Sequence, residues 1–523
     1  MNLIKAGATV GGLTMVSRVL GFARDVLIAM ALGTGPVADA FFVAFRFPNL
    51  FRRLFAEGAF NSAFVPLFSK RLEGEGVPSA RQFAVAVLSV LVTTLAIFTA
   101  IAEISMPWLM MIIAPGFLED PHKYDLAVLL TQIAFPYLLF MSLTAMISGV
   151  LNSMGRFAAA AAAPILLNVI LIAALLGIVR LGLSNTNEAG VILVWGVALA
   201  GLAQAAALWF ASRRAGITLG FTRPRLTPGV MKLVRLGIPG IIAGGITQIN
   251  LLIGTIIASL QASAVAWLYY ADRIYQLPLG VIGVAIGVVL LPDLSRRLRA
   301  GDGSGLHSSQ NRALELSMLL TIPAAAALVA MPAPIIQTLF ERGAFAAADT
   351  EAAALALAAF APGLPAFVLI KVFSPGFFAR EDTRTPMYFA GISVAVNITG
   401  SLGLFFILGH VGIAVATSLA GWINAGLLGW TLYRRGGFQP DARLKRRLPR
   451  ILAASVLMAL VLWWMGGELE GAFQAGVPLA MRATLLAGMI FGGMMTFWAL
   501  AEFSGAAHIG EVIARFRRRP PPR

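Results

Sequence analysis

The chain has 523 residues, of which 59% are hydrophobic and only 12% are charged, and its formal net charge is +16. A soluble chain carries about 25% charged residues, so this composition excludes a soluble protein, whose surfaces would lack polar cover. The absence of cysteine excludes disulfides, thiol nucleophiles and thiolate metal sites. Only four histidines occur, widely separated, which argues against a histidine metal site. The composition therefore predicts a polytopic membrane protein.

Apolar runs follow one another along nearly the whole chain. A membrane-spanning helix needs about 20 mostly apolar residues, and these runs predict an all-α protein with about fourteen spans. The runs lie at 8–33, 37–68, 82–113, 125–151, 158–180, 190–212, 233–259, 264–294, 313–340, 350–378, 386–408, 411–433, 449–466 and 480–503. Because Arg18 and Arg24 interrupt the first run, it is not predicted to be a cleaved signal peptide.

The basic residues between the spans are unevenly distributed, which predicts the orientation. With the N-terminus in the cytoplasm, 29 of the 40 Lys and Arg residues fall in cytoplasmic loops or the C-terminal tail. Those on the opposite side are Lys123, Arg180, Arg342 and Arg482. The positive-inside rule therefore predicts an even number of spans with both termini in the cytoplasm. Most of the net charge then faces anionic lipid, and no nucleic-acid partner is predicted.

The two halves of the chain resemble each other. The matching segments are VAFRFPNL (43–50) with YADRIYQL (270–277), and VPLFSKRL (65–72) with LPDLSRRL (291–298). The repeat predicts two lobes of six spans, followed by two further spans and a basic tail. The predicted boundaries are 1–222, 223–440 and 441–523. Parallel repeats are typical of transporters whose substrate site lies between the halves.

Seven basic residues remain in the interior of the candidate spans once those in loops and at the span ends are subtracted. They are Arg18, Arg24, Arg46, Arg52, Arg53, Arg273 and Lys371. A charged group at the centre of a membrane helix costs about 2.5–3.5 kcal/mol on insertion scales, so such groups usually face the bundle interior or a water-filled cavity. Five of the seven lie in the first two spans, which makes that region the strongest candidate for function.

Helical spacing groups these charges into faces. The stripe on the second span consists of Asp39, Arg46, Asn49, Arg53 and Glu57, and Arg52 widens it. On the first span, Arg18 and Asp25 share a face from which Arg24 points away. In the second half, Asp272 and Arg273 are followed one turn later by Gln276.

The simplest interpretation is that these charges form structural ion pairs. The candidate pairs are Arg24 with Asp39, Arg53 with Glu57, and Arg273 with Asp272. Together with Asp25, these acids cannot neutralise all seven cations. An anionic substrate would supply the missing charge, and the forked guanidinium of Arg suits phosphate. Lys371 is predicted to pair with a neighbouring helix or to reach the interface rather than to bind substrate.

Four stretches closely resemble the MurJ (MviN) family of lipid II flippases, in the multidrug/oligosaccharidyl-lipid/polysaccharide exporter superfamily. They are SRVLGFARD (17–25), DAFFVAFRFPNLFRRLFAEGAFNSAFVP (39–66), YYADRIYQLPLGVIGVAIGVVLLP (269–292) and KVFSPGFFAREDTRTP (371–386). The resemblance covers essentially the whole chain. It implies two six-helix, MATE-like lobes around a central cationic cavity, with helices 13 and 14 forming a hydrophobic groove.

The charge pattern and the resemblance together predict the site. The residues predicted to bind substrate are Ser17, Arg18, Arg24, Asn49, Arg52, Arg53 and Arg273. Those predicted to pair with them or to gate the site are Asp25, Asp39, Arg46, Glu57 and Asp272. No metal or cofactor is predicted. Some family members bind sodium through acids in helices 7, 11 and 12, but the corresponding ranges 236–260, 386–408 and 411–433 contain no Asp or Glu.

The resemblance implies transport rather than catalysis. Lipid II, an undecaprenyl-diphosphate-linked disaccharide-pentapeptide, would be moved from the inner to the outer leaflet of the bacterial cytoplasmic membrane by alternating access, for peptidoglycan synthesis. The implied partners are lipid II, membrane lipids, and proteins of cell-wall synthesis and division.

Two other functions fit the sequence less well. A cation-coupled multidrug exporter of the same superfamily needs an acidic surplus for cationic drugs, whereas the surplus here is basic. A membrane glycosyltransferase acting on a polyprenyl-linked substrate needs a catalytic carboxylate facing a sizeable extramembrane domain, whereas the longest loops here are short and basic.

Overall fold

The computed structural model describes the backbone of residues 3–53, 60–474 and 476–507, and the side chains of these ranges except 3–6, 62, 240–244, 246, 247 and 284–289. Within these ranges the chain forms α-helices joined by turns, two short 3₁₀ helices and an extended connection at 215–227, and no strand occurs. The α-helices are α1 (Leu3–Leu32), α2 (Pro36–Arg52), α3 (Phe60–Gly74), α4 (Gly76–Ile104), α5 (Met106–Ile113), α6 (Pro121–Ala134), α7 (Tyr137–Ser153), α8 (Phe157–Arg180), α9 (Asn187–Arg214), α10 (Pro228–Ser259), α11 (Ala264–Arg299), α12 (Gly303–Ala330), α13 (Pro332–Phe340), α14 (Ala347–Phe360), α15 (Gly363–Phe378), α16 (Arg384–Leu408), α17 (His410–Arg434), α18 (Ala442–Glu468) and α19 (Leu479–Phe503).

Ten helical stretches among the described residues are long and apolar enough to cross a membrane. They coincide with the predicted spans from the third to the sixth and from the ninth to the fourteenth. The other four predicted spans fall on α1, on α2 with α3, on α10 and on α11. The all-α, multi-span architecture is therefore confirmed, whereas the total of fourteen spans is not.

The order of continuous and broken helices repeats along the chain. The third predicted span breaks at Ser105, between α4 and α5, and its counterpart breaks at Met331, between α12 and α13. In both cases a proline follows within the first two residues of the shorter helix, where its missing N–H has no helical partner to lose. The fourth span breaks before α7 and its counterpart before α15, at Pro136 and Pro362. The breaks recur at the spacing of the sequence repeat.

The chain divides by its packing into two units. The first comprises Met1–Ala266 together with Arg342–Phe345. Within it, α1 packs against α8, α8 against α9, and α2 against α6. A core between α3, α4 and α7 contains stacked phenylalanines, with the Phe64 ring centroid 5.6 Å from that of Phe68 and 5.8 Å from that of Phe83.

The second unit comprises Trp267–Glu341 together with Ala346–Arg523. Within it, α16 packs against α17, and α12 packs against both α15 and α18. The last helix, α19, lies against α18 and α13. Large apolar side chains of α18 and α19 stay exposed, among them Trp463, Trp464 and Phe491, as expected for helices that face lipid tails.

A buried ion cluster joins α18 to α12. Glu315 accepts from Arg443 Nε at 3.0 Å, from Arg447 Nη1 at 2.6 Å and from Arg312 Nη1 at 3.0 Å. The Glu315 side chain is only 9% exposed and that of Arg447 only 11%. These arginines belong to the 29 that the charge count placed in loops. The structure instead places them on helices, paired with one carboxylate.

A second buried arginine joins α19 to the end of α13. Arg482 donates to the carbonyl oxygens of Gln337, Glu341 and Phe473 at 3.3–3.5 Å. Its Nη1 also lies 3.9 Å from Glu341 Oε1. The last carbonyls of a helix lack intrahelical donors, and Arg482 donates to Gln337 in the last turn of α13 and to Glu341, its C-cap. The assignment of Arg482 to a loop is therefore wrong, because it is buried in the first turn of α19.

Candidate functional site

Arg24 is the centre of a buried polar network in the first unit. Its Nη2 and Nε donate to Asp25 Oδ1 at 2.8 and 3.1 Å, and its Nη1 donates to Asn168 Oδ1 at 3.0 Å. Asn168 in turn donates to the carbonyl oxygen of Ser17 at 2.9 Å. The network therefore joins α1 to α8 and brings three of the predicted residues together. Arg18, the fourth predicted residue of α1, is exposed.

Asn168 was not among the residues predicted from the sequence, although a signal for it exists. It is the one uncharged polar side chain in the apolar run of α8, and it is 4% exposed. An amide in such a run needs hydrogen-bond partners once it is buried. A search for uncharged polar residues within apolar runs would have found it.

Asp39 is fully buried and pairs with Lys123, not with Arg24. Lys123 Nζ lies 2.6 Å from Asp39 Oδ2, so the predicted Arg24–Asp39 pair is wrong. The assignment of Lys123 to a loop is also wrong, because α6 begins at Pro121, before the predicted span, and includes Lys123 in its first turn. Asp39 also accepts from the backbone N–H groups of Ser263 and Ala266 at 2.9 and 3.0 Å.

The predicted stripe of α2 runs from a buried to an exposed end. Arg46 is half-buried and donates to Thr255 Oγ1 of α10 at 3.3 Å. Asn49 donates to the carbonyl oxygen of Phe45 at 2.7 Å and accepts from Arg52 Nε at 3.0 Å. Arg53 is exposed. Glu57, its predicted partner, lies outside the described residues.

In the second unit, Arg273 is supported by an aromatic residue of its own helix. Its Nη2 donates to Tyr269 Oη at 2.9 Å, and the guanidinium carbon lies 4.7 Å from the centroid of the Tyr269 ring. Asp272 accepts from Gln276 one turn later. Arg273 and Asp272 are half-buried and Gln276 is exposed, so this part of α11 presents a polar surface.

Lys371 of α15 lies across α11 at a glycine. A Cβ atom at Gly283 would come within 2.8 Å of Lys371 Nζ and Cδ. Gly283 therefore makes room for the lysine stem. Among the described residues, no group of three His, Asp or Glu side chains is arranged to hold a metal ion.

Comparison with known proteins assigns the family. The model of the "Lipid II flippase MurJ" family matches residues 28–483. A "Probable lipid II flippase MurJ" of Rhizobium meliloti (strain 1021) is 52% identical over 519 residues, which cover 99% of this chain and 97% of that protein. The chain belongs to the MurJ family. It is therefore a membrane transporter, a lipid flippase, and not an enzyme.

Solved structures agree with this assignment at the level of the fold. A "Lipid II flippase MurJ, inward closed conformation" superposes with a TM-score of 0.76 at 24% identity, covering 94% of this chain and 98% of that one. An inward-facing multidrug resistance MATE family transporter of the MOP superfamily gives a TM-score of 0.64 at 15% identity, covering 82% and 98%. The MurJ family fold, shared with MATE transporters, is thus confirmed. Family and spans together place the chain in a bacterial inner membrane as a multi-pass protein.

Proposed function

We propose that this chain moves lipid II from the inner to the outer leaflet of the cytoplasmic membrane by alternating access. Family membership and 52% identity to a probable MurJ over nearly the whole chain support this. The structural observation that carries it is the buried Arg24 network, which holds a guanidinium inside the first predicted span. Such a group binds phosphate through two donors at once.

The proposed diphosphate ligands are basic and polar side chains from both halves of the chain: Ser17, Arg18, Arg24, Asn49, Arg52, Arg53 and Arg273. Asp25, Asp39, Arg46, Glu57 and Asp272 hold or pair with these groups while the site is empty. Asp25 already shares Arg24 with Asn168, so a phosphate that displaces one acceptor changes the pairing. A ligand shifts a conformational equilibrium only through such differential contacts.

The remaining proposed features come from topology and family. Both termini lie in the cytoplasm, the lobes are 1–222 and 223–440, and the helices of 441–523 hold the polyprenyl tail in a groove. Proteins of cell-wall synthesis and division are proposed as partners. We propose that the membrane potential, worth about 2.3 kcal/mol per charge per 100 mV, drives the transport cycle in the outward direction.

Reconstitution tests the proposed function. Vesicles containing the purified chain and fluorescent lipid II are treated with an impermeant quencher, and the rate at which inner-leaflet lipid becomes accessible is measured. We expect Arg24→Glu and Arg273→Glu to lower this rate more than about tenfold, because each reverses a charge proposed to bind the diphosphate, and loss of one partner of a hydrogen-bonded charge pair costs at least about 2 kcal/mol. Arg223→Glu, at an exposed loop arginine, is the matched control. A native rate equal to that of protein-free vesicles would refute the proposal.

A further inference from the structure

We propose that Lys123 is a positioning residue for transport, which holds Asp39 against the start of α11 and so fixes the first turn of that helix to α2 and α6. The transport part of this inference rests on the proposed function. The geometric part rests on contacts within the first unit.

Three donors from two other segments converge on the Asp39 carboxylate. Lys123 Nζ and the Ser263 N–H reach Oδ2 at 2.6 and 2.9 Å, while the Ala266 N–H reaches Oδ1 at 3.0 Å. Asp39 is 0% exposed and Lys123 is 6% exposed. Both carboxylate oxygens therefore accept hydrogen bonds. Among the described residues, Lys123 is the only cation that forms an ion pair with Asp39.

Asp39 lies at a helix N-terminus whose backbone needs an acceptor. Because α11 begins at Ala264, the N–H groups of Ser263 and Ala266 belong to its cap and first turn, where no intrahelical acceptor exists. The positive end of the helix dipole also favours a carboxylate there. Ser263 has a φ of 64°, a left-handed conformation that is rare for non-glycine residues. The bond to Asp39 holds this strained residue in place.

Lys123 is itself fixed from two sides. Asp120 caps α6 by accepting from the backbone N–H groups of His122 and Lys123 at 3.1 and 3.2 Å. The ammonium lies 4.1 Å from the centroid of the Phe117 ring, within the range of a cation–π interaction. Both the backbone and the ammonium group of Lys123 are therefore held in place before they contact Asp39, unlike those of a flexible surface lysine.

We call this set of contacts the clamp; it consists of Asp39, Lys123, Ser263 and Ala266. The clamp holds the first turn of the helix that carries Arg273. Arg273 lies seven residues beyond Ala266 in the same continuous helix, or about 10 Å along its axis. Displacement of the start of α11 therefore moves the guanidinium proposed to bind the diphosphate. This link gives Lys123 a reason to affect transport without touching substrate.

The test uses the cysteine-free background of the chain. A single Ala266→Cys variant places a thiol at a buried position of the clamp. We expect Lys123→Met to raise the labelling rate of this thiol by a membrane-impermeant maleimide, and to lower the lipid II transport rate, each by more than about tenfold. Lys123→Arg, which keeps the cation, should recover part of both. Lys70→Met, at an exposed lysine, is the matched control.

Loss of one partner leaves a buried charge, so Lys123→Met alone can fail to fold. The double variant Asp39→Asn/Lys123→Met removes both charges and restores neutrality. It should fold yet still expose the introduced thiol, because an amide offers one acceptor oxygen where the carboxylate offered two. Parent-like labelling of the folded double variant would overturn the inference. So would parent-like transport by Lys123→Met, whereas absence of transport by the parent chain would refute the proposed function instead.

Discussion

At the scale of single residues, the structure shows how Arg24 of α1 is kept both buried and oriented. The Arg24 guanidinium bonds to a charged neighbour on its own helix and to a neutral amide on another. Asp25 neutralises the guanidinium charge. Asn168 fixes the orientation of the guanidinium, because Asn168 is itself held by its hydrogen bond to the Ser17 carbonyl oxygen. Orientation of a planar donor fork matters as much as charge for binding phosphate.

Asn168→Ala tests this role of the amide. The change leaves the Ser17 carbonyl without that donor and Arg24 without that acceptor. We expect the free energy of unfolding to fall by about 1–3 kcal/mol, the typical cost of an unsatisfied buried polar group. Denaturant unfolding of the detergent-solubilised protein measures it. Thr399→Ala is the control, since that hydroxyl is exposed and bonds only within its own helix. Equal stability of the two variants would contradict the prediction.

At the scale of elements, the last two helices are anchored at two separate points. Near its start, α18 is joined to α12 through Glu315, and the start of α19 is joined to the end of α13 through Arg482. Both anchors are buried, whereas the aromatic side chains at Trp463 and Phe491 face outward. The two helices that carry these exposed aromatic side chains are thus joined to α12 and α13 by polar contacts.

Glu315→Gln tests the first anchor. Removal of the carboxylate charge leaves Arg447 and Arg443 beside a neutral amide, and breaking a buried ion pair on one side costs about 3–5 kcal/mol. We therefore expect a lower thermal midpoint and faster proteolysis between α17 and α18. Glu468→Gln, at an exposed glutamate, should leave both unchanged. A midpoint for Glu315→Gln equal to that of the control would contradict the anchoring role.

At the scale of the whole molecule, the repeated order of long and short helices describes the architecture, whereas the uneven distribution of basic residues predicts its orientation in the membrane. The breaks at Ser105 and Met331 show that the two halves use the same sequence of long and short helices. The distribution of basic residues instead predicts how this plan is oriented in the membrane.

Thiol labelling tests the orientation. Ser304 is exposed in the first turn of α12, and Leu181 is exposed in the turn after α8; they are predicted to face the cytoplasm and the opposite side, respectively. In intact spheroplasts we expect an impermeant maleimide to label Leu181→Cys and to spare Ser304→Cys until the membrane is permeabilised. The cysteine-free parent provides the blank. The reverse pattern would show that the topology is inverted.

The sequence by itself determined the class of fold, most of the spans and the repeat, and it predicted a small set of membrane cations. These properties depend on local apolar length and on charge, which a single chain segment displays. The tertiary structure decided which charges pair. Helical spacing relates residues only a few positions apart, whereas Asp39 meets Lys123 and Arg24 meets Asn168 across helices distant in sequence.

The structure also decided which charges are buried. Lys123 and Arg482 lie next to polar breaks in the sequence and were assigned to loops, yet each contacts a helix terminus or forms an ion pair inside its unit. A long basic side chain carries its charge several ångströms from its backbone, so packing partners, rather than position in the chain, determine its surroundings. The net charge of +16 is therefore divided among loops, structural anchors and the proposed site, and only the folded protein makes that division.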